Sequence, residues 1–300
     1  MTPLVLTGDC REMLPTLAPG SVQTCITTPP YWSTRDYEVP PLIWGGDPGH
    51  DHSFHLRFRA GQHTGYGDHQ GPPKTKTGTC LCGAWFGPLG LEPTVGLYID
   101  HVTECFHFLR RPLADDGTLW VSIGDSYANK SLVEAPSQLA LQMRSQGWFL
   151  RSRIPWIKRG AMHERPSKDR LTGNIDYLFM FSKNPSYYYD PTTAILQRKA
   201  QRITDFFDLS WQGLLLDADG EPMALMVNQR HTKLEEDHYA LFPNQLIEPL
   251  VELTTREGDA VLDMFGGVGT TGAVAAQMGR QGIVCELKPS WARLAKMGVA

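Results

Sequence analysis

The residues of this 300-residue chain point to an α/β fold, a doubly wound and mainly parallel sheet with helices on both faces. Short β-rich apolar runs alternate with helically spaced segments along the whole length. Near the C-terminus, Val261-Leu-Asp-Met-Phe-Gly-Gly-Val-Gly-Thr-Thr-Gly272 is an apolar strand running into a glycine-dense turn that opens a helix. Only one more strand and helix fit between that turn and Ala300, whereas a doubly wound sheet needs several further strands. Those strands must come from earlier in the chain, so the glycine unit stands last in the order of motifs.

Taken in order, Leu4–Leu6 reads as a short strand ending at Gly8-Asp9. Val22–Thr27 is a second, halted at Pro29-Pro30 because proline cannot donate to a sheet ladder. Residues 36–79 are rich in Gly, Pro and His and read as irregular, too long for an ordinary connection. Leu97, Ile99, Val102, Phe106 and Leu109 give Leu97–Arg110 helical spacing. Asp115-Asp-Gly117 then turns the chain into a buried strand, Thr118–Ile123, ending at Gly124-Asp125. Pro136–Gln146 reads as a helix stopped by Gly147. Trp148–Ile157 and Tyr177–Ser182 read as strands separated by a basic loop. Residues 195–237 form a weakly patterned insertion, and Leu246–Thr255 is a helix leading into the glycine unit. The expected organisation is a half spanning 1–194 with an irregular 36–95 loop, an insertion at 195–237, and a second half at 238–300 of the same domain.

Charged residues make up 20% and hydrophobic ones 41%, a globular balance without the long apolar run that a membrane span requires. Six scattered cysteines are too few for a disulfide framework, and a reducing cytoplasmic setting is expected. A net charge of −4 confines any nucleic-acid contact to a local patch.

The glycine turn suits a nucleotide-type cofactor, since glycines admit the ligand to the backbone and the helix N-terminus offers unpaired N–H groups. A phosphate-binding P-loop would end in Gly-Lys-Ser/Thr, which is absent; a nicotinamide-binding loop is the competing reading. The other informative segment is Thr28-Pro-Pro-Tyr-Trp32, at the carboxyl end of a strand, where open α/β sheets bind ligands. A proline terminator with packed aromatics is its bland reading.

Together, T-P-P-Y-W and a downstream F-x-G-x-G-T-T resemble the S-adenosylmethionine-dependent DNA amino-methyltransferases, in the β-type order where the catalytic motif precedes the cofactor motif. The resemblance covers most of the chain and implies a Rossmann-like methyltransferase sheet with circularly permuted motif order. It implies methyl transfer to an exocyclic base amine in double-stranded DNA, cytosine N4 first and adenine N6 as the alternative. An RNA methyltransferase and a catalytically silent DNA-binding homologue stay open beside these two. The preference for cytosine follows from a hydroxyl residue, Thr28, ahead of Pro-Pro. A ring-carbon cytosine enzyme is disfavoured because no Pro-Cys pair occurs. The family usually has D-P-F-x-G-S-G-T-T, and here Met264 replaces the proline and Val268 the serine.

By that resemblance the catalytic set is Thr28, Pro29, Pro30 and Tyr31. The Thr28 hydroxyl and Pro29 carbonyl would accept the amine hydrogens, and Tyr31 would stack on a base flipped out of the duplex. The cofactor set is Asp9, Phe242, Pro243, Asp263, Phe265, Gly267, Gly269, Thr270, Thr271 and Glu286, with Glu286 holding the ribose hydroxyls and Asp9 near the adenine. A turn-forming role is open for Asp9, and helix capping for Asp125. Arg151, Arg153, Lys158, Arg159, Arg165, Lys168 and Arg170 form the one strongly basic stretch and are expected to contact DNA phosphates. Gln197, Arg198, Lys199, Gln201, Arg202, Asn228, Gln229 and Arg230, in the 195–237 insertion, are able to pair with base edges. His50, His52, Cys80 and Cys82 have the donor types for tetrahedral zinc, although C-x-C spacing suits a metal-free loop equally. Monomer and homodimer both remain open.

Overall fold

The computed structural model of the protein describes residues 2–58, 75–159, 170, 175–190, 200–202, 213–216, 222–228 and 242–298. In chain order its strands are β1 (Leu4–Thr7), β2 (Val22–Thr27), β3 (Leu42–Trp44), β4 (Arg57–Phe58), β5 (Lys76–Thr79), β6 (Trp85–Gly87), β7 (Leu113–Ile123), β8 (Tyr127–Ala128), β9 (Ser131–Leu132), β10 (Phe149–Arg159), β11 (Ile175–Ser182), β12 (Ala200–Arg202), β13 (Gly213–Leu216), β14 (Pro222–Asn228), β15 (Ala260–Asp263) and β16 (Gln281–Glu286). The described helices are α1 (Cys10–Met13), α2 (Val95–Leu109), α3 (Ala135–Ser145), α4 (Asn244–Thr254), α5 (Thr270–Gln277) and α6 (Pro289–Met297).

Ten described strands form the main sheet in the order β1-β16-β15-β2-β7-β11-β10-β14-β13-β12. The first five pair in parallel, β11 runs against both β7 and β10, and β14 is parallel to β10. The predicted mainly parallel α/β sheet is therefore present. Its strands are apolar on both faces because both are covered. Leu119, Val121 and Ile123 meet Ile99, Val102 and Phe106 of α2 and Leu139 and Met143 of α3. The alternate positions carry Trp120, which joins Ile26, Trp156, Leu178 and Met180 beneath Leu246, Ile247 and Leu250 of α4 and Val274 of α5. Each fully buried Leu, Ile or Phe contributes about 1.5–3 kcal/mol, which makes these two layers the main stabilising term.

The predicted elements appear with small shifts at their ends. α2 starts two residues before Leu97 because Thr94 caps it, its hydroxyl accepting from Leu97 N at 3.2 Å. The expected turn at Asp115-Asp-Gly117 is absorbed into β7, where the pairing with β2 slips between Val22 and Thr24. The larger difference lies in residues 36–95. Read as irregular, they hold a four-stranded antiparallel sheet of order β3-β6-β5-β4. Its strands are only two to four residues long, too short for a periodicity to betray them. Within 195–237, the described strands β12, β13 and β14 extend the edge of the main sheet. No described helix is long and apolar enough to cross a membrane.

Candidate active site

The strand directions bring seven polar side chains to one edge of the sheet. The carboxyl ends of β1, β16, β15, β2, β7 and β10 and the start of β11 carry Asp9, Glu286, Asp263, Thr28, Asp125, Lys158 and Asp176. Open α/β sheets bind ligands along this edge.

On the β15 side the glycine loop is pinned by two buried carboxylates. Asp263 accepts from the Thr27 hydroxyl at 2.6 Å, the Thr271 hydroxyl at 2.8 Å and Phe265 N at 3.1 Å. One side chain thus ties the end of β2 to the loop and to the first turn of α5. Burial pushes its carboxyl above the usual range, and these donors oppose that rise. Glu286 accepts from Lys288 N at 2.6 Å and from Gly267 N at 2.8 Å. Gly269, at the N-cap of α5, has φ +91°, and a Cβ there would lie 2.8 Å from the Ala295 Cβ. Thr270 and Thr271 begin α5 and are buried, while Phe265 meets Phe106 edge-on at 6.4 Å. Met264 and Val268, the departures from the usual pattern, are both buried and pack as core residues.

Burial pushes the Glu286 carboxyl up to about 7, against the two N–H donors. Its folded value exceeds the ordinary 4.5, so its ionisation costs stability above pH 7, and this cost disappears as pH falls below about 4.5. A ligand whose hydroxyls donate to the carboxylate needs the ionised form. The affinity of such a ligand is therefore expected to fall about fivefold from pH 7 to pH 6, measured by calorimetric titration, and Glu286→Gln should flatten that profile.

On the β2 side, the Thr28 Oγ1 is buried and has no hydrogen-bond partner among the described residues. Pro29 is buried and Pro30 half-buried. The Tyr31 hydroxyl donates to Asp176 Oδ2 at 2.6 Å. Burial, reinforced by the Asp176 charge, raises the phenol well above its ordinary value and keeps it a donor. The loop then turns back: the Trp32 indole donates to Glu92 O at 3.0 Å and Ser33 N to Gly90 O at 2.7 Å. Glu92 is fully buried, accepts from Gly90 N at 2.8 Å and pairs with His101 Nδ1 at 3.1 Å. His101 in turn stacks on Trp44 at 5.0 Å and Trp85 at 5.6 Å. The small sheet therefore braces the loop that follows β2, a link the sequence pattern did not reveal.

The remaining expected residues divide. Asp9 caps α1 and holds Arg11 at 2.7 Å, beside the Gly8–Glu286 backbone contact of 3.0 Å. Asp125 accepts from Ala135 N at 3.1 Å, the helix-capping role left open for it. Phe242 packs edge-on against Trp156 at 6.1 Å, and Pro243 is the buried N-cap of α4. The described members of the basic stretch lie in different surroundings. Arg151 sits at the amino end of β10 and stacks on Tyr187, and Arg153 stacks on Tyr177 at 4.7 Å. Arg170 lies over Tyr127 at 4.1 Å, close to the carboxyl edge. Lys158 departs from the phosphate-contact expectation: it is buried against Asp176, because alternation along β10 turns it into the sheet. Arg159 ends β10. Arg165 and Lys168 lie outside the described residues, as do Gln197, Arg198, Lys199, Gln229 and Arg230. Gln201 and Arg202 fall on the edge strand β12, and Asn228 ends β14, which lies between β10 and β13.

The metal-donor residues do converge. One donor atom each from His50, His52, Cys80 and Cys82 lies within 4.8 Å of the others. Zinc bonds of 2.0–2.3 Å place tetrahedral donors about 3.3–3.8 Å apart, so a small contraction would close the set. The backbone N–H of Cys82 and the His52 ring hold the Cys80 thiol down to about 6, favouring the thiolate that binds metal.

Comparison with known proteins follows the same outline. The sequence profile of a family described as DNA methylase matches residues 22–297. The type II methyltransferase M.Cfr9I of Citrobacter freundii is 30% identical over 318 residues, covering 96% of this chain and 84% of that protein. The type II methyltransferase M.SmaI of Serratia marcescens is 27% identical, covering 97% and 89%. Among solved structures, PvuII DNA methyltransferase (cytosine-N4-specific) superposes with a TM-score of 0.63 at 20% identity, over 100% of this chain and 89% of that one. A DNA modification methylase of Thermus thermophilus, solved in complex with S-adenosyl-L-methionine, gives 0.58 at 21% identity, over 99% and 92%.

Proposed function

The chain belongs to the N6/N4 DNA methylase family, and from that premise we propose that it methylates the exocyclic N4 amine of cytosine in duplex DNA, using S-adenosylmethionine. The observation that carries the reading is the buried Thr28 hydroxyl, without a partner among the described residues and one strand away from the glycine loop. A buried hydroxyl without a partner is costly unless a ligand completes it. S-Adenosylmethionine supplies an electrophilic methyl group on a sulfonium.

A base amine is a weak nucleophile because its lone pair is delocalised into the ring. Thr28 Oγ1 and the Pro29 carbonyl accept its two N–H hydrogens, which favours the pyramidal nitrogen needed for in-line attack. Tyr31 stacks on the base once it has left the duplex. In the cofactor half, the Glu286 carboxylate accepts from the ribose hydroxyls and the first turn of α5 faces the carboxylate. Asp263 acts through Thr271 and Phe265 to hold that turn in shape. Asp9, Phe242 and Pro243 border the adenosine. Arg170, Arg159 and the basic residues between them contact the phosphates, and the segment 195–237 reads the sequence.

A hydroxyl rather than a carboxylate ahead of Pro-Pro supports cytosine over adenine. The test is to incubate the protein with the cofactor and unmethylated duplex DNA, digest to nucleosides and weigh the products. N4-methylcytosine is expected; N6-methyladenine would overturn the base assignment, and no methylated nucleoside would favour a silent or RNA-directed homologue. We further propose that His50, His52, Cys80 and Cys82 hold a structural zinc that fixes the small sheet against the loop. Metal analysis of the purified protein is expected to give about one zinc per chain, and a Cys80→Ser, Cys82→Ser variant about none.

A further inference from the structure

Four neighbouring strands turn polar side chains to the same face at the ligand edge. Ile26, Trp120, Leu178 and Trp156 all belong to the core under α4 and α5. Two residues further toward the edge on each strand stand Thr28, Ser122, Asp176 and Lys158. Asp176 and Lys158 form an ion pair through Asp176 Oδ2, the oxygen that also accepts the Tyr31 hydroxyl at 2.6 Å. Their side chains are only 5% and 7% exposed. The Lys158 ammonium lies 5.9 Å from the centre of the Tyr31 ring and 4.8 Å from that of Trp156. Space for the group comes from Gly124 at the end of β7: a Cβ there would stand 2.6 Å from both Asp176 Oδ1 and Tyr31 Cε2.

A buried ion pair is a poor stabiliser, since apolar residues of the same volume usually serve as well or better. Its position offers another account. The pair fixes the one polar atom of the ring that meets the base, and Lys158 holds in place the carboxylate oxygen that accepts from it. We propose that Asp176 and Lys158 are positioning residues, holding Tyr31 at the angle that receives the flipped base. The proposal rests on the reading of Tyr31 as the base-stacking residue.

The test combines Tyr31→Phe, Asp176→Asn and their double variant with steady-state methylation, cofactor titration and thermal melting. Each single change is expected to lower kcat about tenfold with cofactor affinity unchanged, and the double variant to be no slower than the slower single, because all three remove one contact. Adding Lys158→Met to Asp176→Asn should recover melting temperature lost by the single variant without recovering turnover. Single variants within twofold of wild type, or losses that multiply in the double, would overturn the proposal. If Asp176→Asn fails to fold, Tyr31→Phe alone decides, since it removes one oxygen and no charge. Slow Tyr31→Ala with normal Tyr31→Phe would defeat this inference alone, whereas normal turnover in Tyr31→Ala would defeat the base-pocket reading itself.

Discussion

Tyr31→Ala is expected to lower turnover about 100-fold while cofactor affinity stays within about twofold of wild type. Stacking on an aromatic ring is worth about 1–3 kcal/mol per base, and a base free to tilt loses the alignment of its amine with the methyl group. The cofactor loop is insulated from the change: its pins run from Asp263 to Thr27, Thr271 and Phe265 and from Glu286 to Gly267, none of them through Tyr31. Steady-state kinetics and calorimetric titration of the same preparation separate the two effects. Unchanged kcat would remove Tyr31 from the base pocket, and weakened cofactor binding would show that the two halves are less independent than the hydrogen bonds imply.

Gly269→Val is expected to abolish measurable cofactor binding and to lower the melting temperature by roughly 5–15 °C. The position has φ +91°, where a β-branched residue is strained by about 1–3 kcal/mol. The added carbon would also lie 2.8 Å from the Ala295 Cβ and 3.1 Å from its Cα, so α6 or the loop must shift. Gly269 N donates to Gly266 O at 2.8 Å and caps α5, and a shift there displaces the N–H groups proposed to receive the cofactor. Retained affinity in titration would mean that the loop is not the cofactor cradle.

Both predictions depend on features that were visible in the residues. Pro29-Pro30 announces the end of β2, and the glycines of 266–272 announce a strand-to-helix turn, because each residue type has a local conformational reason to be there. Buried strands such as β7 and β11 were legible from their apolar runs. The braces were not. Glu92 and His101 look like an ordinary loop acid and a histidine on an apolar helix face, and only the stacking of Trp44 and Trp85 makes them a unit. Lys158 read as part of a basic stretch because charge runs usually face water. Its burial follows from the register that sets Trp156 opposite Asp176, and register over 20 residues is not written in composition. The period-2 spacing of Ile154, Trp156 and Lys158, which puts the lysine on the face of two apolar residues, was the signal that could have found it.

The pairing of β1 with β16 sets a schedule for the molecule's birth. Gly8 and Cys285 touch across 277 residues of chain, and among described strands β1 has no other partner. At ribosomal speeds of about 5–20 residues per second, the first strand waits roughly 15–55 s for its neighbour to be made. Until then its edge stays open, an interval in which a chaperone or a second nascent chain can occupy it. Glu286, proposed above to hold the ribose, ends β16 and arrives in the same last step, so on that reading a nascent chain has no cofactor site to fill before nearly all of the sheet is present. On the proposed roles, no half-built form binds the methyl donor while lacking the strand that receives the base.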